Sequence, residues 1–130
     1  MPTWQEIQQY ARTKYRLQND DEHRFSLVFA YGDGRTQLIT VRHISGFGKE
    51  WCEFRSAVCN ESEMSPKVAL RKNSDEFVLG ALSIDSEGDY IFSYSACLET
   101  MDLEEFELPL HAVAVTADEL EKNYSGGDKF

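Results

Sequence analysis

Hydrophobic positions recur along the chain with two periods, and these divide it into helices and strands. Toward the C-terminus Leu103, Phe106, Leu110, Val113, Ala117, Leu120 and Tyr124 fall at alternating steps of three and four, which predicts a helix over residues 102–124 with one buried stripe. Its start is written beside it: Asp102 as N-cap, Glu105 to complete a capping box, and Met101 facing Phe106 as a hydrophobic staple. Pro109 removes one backbone bond inside that span, so a kink is expected, and because the stripe keeps its phase one bent helix is expected rather than two. Leu108, Ala112 and Val115 form a smaller strip nearly opposite, which implies that the helix middle is covered on both sides, by the first helix or by another subunit.

The rest of the chain reads in the same way. Thr3 and Glu6 make a capping box for a first helix that places Trp4, Ile7, Ala11 and Tyr15 on one side and runs to about Leu17. Residues 18–22 read as a polar loop, without the alternating ligands or distal Glu of an EF-hand. Strands follow over 24–31 and 35–44, joined by Gly32-Asp33-Gly34, and over 51–59 after the turn at 45–49. Ser65-Pro66 opens a short helix to about Lys72, and 77–84 and 90–98 form a hairpin across an acidic turn. The expected fold class is therefore α+β, helix-βββ-helix-ββ-helix, with a five-stranded antiparallel sheet packed by the N- and C-terminal helices. Residues 1–124 form one expected domain, and 125–130 a flexible tail.

Charge narrows the partners. Against 23 acidic residues stand 13 basic ones, a formal net charge of −10, which opposes binding to the phosphate backbone of DNA or RNA. No apolar run approaches the ~20 residues that span a bilayer. The odd set Cys52, Cys59 and Cys97 lacks paired spacing, and the N-terminus lacks a basic region followed by an apolar core. Both point to a reducing, cytoplasmic compartment.

Candidate chemistry is sparse. Gly32-Asp33-Gly34 precedes strand-forming residues, whereas a phosphate-cradling loop opens a helix. His23, His43 and His111 lie in different elements outside any diagnostic motif, and with the cysteines they lack the short paired spacings of a zinc site. Cys52 and Cys59, an odd number apart on one predicted strand, are expected on opposite faces. The acidic turn at 85–89 reads as solvated rather than metal-binding, and Glu104, Glu105 and Glu107 as favouring the positive end of a helix dipole. No catalytic residue, cofactor or metal ligand is assigned.

The element order, together with Ala69-Leu70-Arg71-Lys72-Asn73, Phe77-Val78-Leu79-Gly80-Ala81-Leu82, Tyr90-Ile91-Phe92-Ser93, Leu98-Glu99 and Ala117-Asp118-Glu119-Leu120-Glu121, resembles type III secretion chaperones and the related YbjN-type proteins. The resemblance implies a small acidic cytoplasmic protein without catalysis, usually dimeric, that holds an extended polypeptide client against apolar patches. The first helix carries Trp4, Ile7, Tyr10 and Ala11 where secretion chaperones tend to be leucine-rich, which favours the YbjN-like side. Candidate contact residues are Phe47, Tyr90, Phe92, Tyr94, Leu108 and Val115; Phe47, between two glycines, also reads as a plug on the sheet end. Two other functions compete: an acidic inhibitor or immunity-type protein that binds a basic partner, and an enzyme whose pocket gathers His43 or His111 with a carboxylate.

Overall fold

The structure, a computed structural model, describes residues 2–125. Its elements run α1 (Trp4–Lys14), β1 (Asn19–Asp21), β2 (Arg24–Ala30), β3 (Thr36–Gly46), β4 (Lys49–Asn60), α2 (Pro66–Asp75), β5 (Ala81–Ile84), β6 (Asp89–Cys97), a 3₁₀ turn at Leu98–Thr100, and α3 (Glu107–Tyr124). The strands form one antiparallel sheet in the order β1-β2-β3-β4-β6-β5. The α+β class and the flanking terminal helices are as expected, but there are six strands, not five. The additional one is β1, in the polar stretch read as a loop. All three of its residues are exposed, so no apolar alternation marks it. Asn19–Asp21 is held by pairing with β2 and by Gln8 and Arg12 of α1, whose side chains donate to Asp20.

Alternation decides which side of the sheet is covered. Phe25, Leu27, Ile39, Val41, Cys52, Phe54 and Val58 point to one face, where α1 and α3 cover them. Phe106 joins the layers. Its ring lies 5.5 Å from Phe54 and 6.3 Å from Phe25 on the sheet, and 6.1 Å edge-on from Tyr10 of α1. Within β4 a bulge between Ala57 and Cys59 shifts the register, so Cys59 comes opposite Tyr90 and is buried in the core with Cys52. The odd spacing that placed the two thiols on opposite faces is cancelled by that extra residue.

The long helix begins later than its stripe. Asp102 does accept from the backbone N–H of Glu105 at 2.7 Å. Residues 103–106 nevertheless form turns, and α3 starts at Glu107. Pro109 thus falls in the first turn, where a backbone N–H would have no intrahelical partner, and the expected mid-helix kink does not arise. The buried stripe is as expected from Phe106 to Leu120. Ser125 closes the helix with its N–H on the Glu121 carbonyl; the remainder of the predicted tail, 126–130, lies outside the described residues.

Candidate functional site

Two of the six expected contact residues are interior. Tyr90 and Phe92 project from the face that the helices cover and are 2% and 0% exposed. The Tyr90 hydroxyl donates to the Met64 carbonyl, and Phe92 packs edge-on against Phe77 at 4.8 Å. Alternation in β6 distinguishes two sides but not which of them a helix covers, and these residues belong to the core, out of a partner's reach. Tyr94, farther along the same side, is half-buried. The other three are in water: Phe47 is 99% exposed at the β3–β4 tip, Leu108 69% and Val115 42% on α3.

Leu108 and Tyr94 belong to a trough along one flank of α3. Two grooves of ≈ 540 and ≈ 560 Å³ adjoin at Leu79 and Leu108, which line both. One is lined further by Phe77, Val78, Ala112 and Leu120 with Lys72, Glu76 and Glu119 at its margin; the other by Trp51, Tyr94, Ala96, Met101 and Pro109. Leu108 and Ala112 of the second apolar strip of α3 thus lie along one wall. α1 does not cover it, because α1 meets α3 on another side, where Tyr10, Lys14 and Tyr15 converge on Glu107.

The opposite wall comes from the segment between α2 and β5, which was expected to be strand. Gly80 breaks the strand. It adopts φ +83, and a Cβ there would lie 2.6 Å from Phe92 Cζ, so the chain must turn at a residue without a side chain. β5 therefore starts at Ala81, and Val78 is left fully exposed. A glycine followed by alternating residues was the available signal, and it was read as part of the strand. Beneath, Asn73 ties α2 to β5 by accepting from Leu82 N–H at 2.7 Å and donating to its carbonyl at 3.1 Å.

Titratable groups cluster elsewhere. His111 Nε2 lies 3.1 Å from Glu107 and 3.0 Å from the Tyr15 hydroxyl. Burial pushes the Glu107 carboxyl up, but hydrogen bonds from Tyr15, Lys14 and Tyr10 outweigh it and hold the group below its usual range. This network clamps α1 to α3. His43 stacks on Trp4 at 5.4 Å and pairs with Glu50 at 3.0 Å, in a groove of ≈ 390 Å³. The neighbouring Ser45 hydroxyl donates to Glu50 rather than to the imidazole, so the histidine does not activate it as a nucleophile. Asp85, Glu87 and Asp89 gather in the β5–β6 turn, where Asp85 Oδ1 already accepts two backbone N–H groups. Burial raises the Cys52 thiol, which disfavours its reactive thiolate. Among the described residues no helix is long and apolar enough to cross a membrane.

No protein-family model matches the chain, and no curated protein matches it in sequence. Solved structures do match it in fold. A chain of the ExsC-ExsE complex superposes with a TM-score of 0.66 at 12% identity, covering 95% of this chain and 97% of its own. A chain of the HopA1-SchA chaperone-effector complex gives 0.64 at 11%, covering 89% and 90%. One from the heterodimeric ExoU-SpcU complex of the Pseudomonas aeruginosa type III secretion system gives 0.59 at 17%, covering 93% and 99%. The six-stranded sheet under its terminal helices is thus a type III secretion chaperone-like fold.

Proposed function

We propose that the protein is a non-enzymatic, chaperone-like binding domain, working through residues 1–124 as a homodimer in the cytoplasm, that holds an extended segment of a client protein in the trough beside α3. The observation that carries this reading is the pair Val78 and Leu108, 102% and 69% exposed on opposite walls of one apolar groove. Large aliphatic side chains gathered in water are a standing cost unless something covers them. The likeness to a chain of the HopA1-SchA chaperone-effector complex supports the same role. The first helix, with Trp4, Ile7, Tyr10 and Ala11, favours the YbjN-type side of the group.

Peptide capture tests it. Fluorescent unstructured peptides with apolar residues at alternate positions should bind the wild type, and Val78→Asp/Leu108→Asp should lose at least tenfold in affinity while keeping the wild-type melting temperature. Binding by burial of apolar surface changes little between low and high salt. Steep weakening with salt would favour the acidic-inhibitor reading instead, and no binding by the wild type would refute the client reading.

A further inference from the structure

The sheet face turned away from α1 and α3 differs in charge from the rest of the chain. Arg24 stands opposite Arg42 in the β2–β3 register, and Arg55 stands opposite Thr40 on β4, so three arginines gather on the open side of a protein with formal net charge −10. Glu53 sits among them, 2.6 Å from Arg42 and 3.6 Å from Arg55, and Asp21 lies 3.5 Å from Arg24, so this end of the face, three cations against two anions, is net positive. The three arginines line a groove of ≈ 560 Å³ whose other end is the β5–β6 turn with Asp85 and Glu87. Between the charged ends lie Leu38, 37% exposed, and Ile91, which is buried yet stands outside the core cluster. Among the described residues neither acid of the turn pairs with an arginine of the far end.

A face that is basic at one end, aliphatic in the middle and acidic at the other is complementary to itself. Consider a two-fold axis lying between two copies and perpendicular to the line joining the charged ends. It carries each basic end over the other's acidic turn and brings the aliphatic middles together. Packed sheets meet this way about 10 Å apart. We propose that a second copy of this chain docks on the open sheet face, with Arg24 and Arg55 of each copy over the Asp85–Glu87 turn of the other. A wholly acidic partner would satisfy the arginines but repel the turn, and a wholly basic one would do the reverse. The inference rests on the homodimer part of the proposed function and supplies its surface. It leaves the trough, on the covered side, free for a client.

Paired charge swaps test it. Arg24→Glu/Arg55→Glu spares the Arg42–Glu53 pair, and Ser86→Arg/Glu87→Arg spares Asp85, whose carboxylate holds the turn. Each variant alone should self-associate at least tenfold more weakly in analytical centrifugation. An equimolar mixture should recover a heterodimer, since opposite charges again face each other at both ends. Circular dichroism and melting curves check that each variant folds; if one does not, the single exchanges Arg24→Glu and Glu87→Arg, at exposed positions, replace it. Swaps that leave dimerisation unchanged would overturn this surface while the homodimer reading stands. A wild type that is monomeric at roughly 100 µM would overturn both. Two variants that weaken association but fail to pair would overturn the end-to-end arrangement. Peptide capture is scored separately through Leu108, so its failure leaves this result intact.

Discussion

Arg35 Nη2 lies 3.1 Å from Glu121 Oε1, across 86 residues of sequence, and Arg35 Nε lies 3.0 Å from Asp118 Oδ1. The Glu121 side chain is 0% exposed and that of Arg35 14%. One guanidinium from the β2–β3 turn therefore compensates two carboxylates of α3. The Asp118 carboxylate also reaches Tyr31, whose hydroxyl is pushed up to about 12 by burial and by that negative charge.

Removing that cation should loosen the last helix. Arg35→Met leaves Glu121 buried beside a second carboxylate, and breaking such a pair from one side costs about 3–5 kcal/mol. In a protein of this size that corresponds to a fall in melting temperature of roughly 10 °C or more. Calorimetry of the variant checks it, and a fall of less than about 3 °C would show that the pair does not hold the helix.

Gly80→Ala should destabilise by about 2–4 kcal/mol, because the backbone sits at φ +83 and the new methyl meets Phe92. Gly34→Ala shares the positive φ but meets nothing within 4 Å, so its cost should stay near 1 kcal/mol. Urea unfolding of the two variants separates the clash from the backbone term.

Phe47 is the only non-glycine residue with positive φ among the described residues, at 55°, and it is fully exposed. Phe47→Asn should raise stability by about 0.5–1 kcal/mol, since asparagine adopts this conformation more readily. A melting temperature that falls instead would mean that the ring packs on the sheet end.

Acid should release α1 from α3. The folded Glu107 carboxyl is held below its ordinary value, so its contribution to stability is complete above the unfolded pKa of about 4.3 and disappears as pH falls through the folded value. Glu107→Gln should lower the melting temperature at pH 7 and flatten its decline between about pH 5 and 3. Parallel melting curves across that range decide the matter.

Much of the architecture could be read before the coordinates, for local reasons. Thr3 and Glu6 bond reciprocally at 3.2 Å, and Ser65 caps a helix with proline next to it, so both starts were legible from neighbouring residues alone. The features that escaped depend on partners remote in sequence. β1 exists because β2 and α1 hold it, and the bulge that turns Cys59 inward is fixed with Gln37 of β3, which donates to Ala57 at 2.8 Å. The site divided on the same ground. That Leu108 lies exposed was legible because a helix strip is periodic, whereas Tyr90 and Phe92 were expected at the surface because strand alternation does not say which side is buried.

Both rims of the sheet are guarded. β1 offers three polar residues with Asp20 engaged by Arg12, and at β5 the outward N–H and carbonyl of Leu82 are taken by the Asn73 side chain. Filament growth by strand exchange needs receptive borders, and here each is already occupied in part. A stray strand therefore meets an engaged backbone at β5 and a charged, polar one at β1.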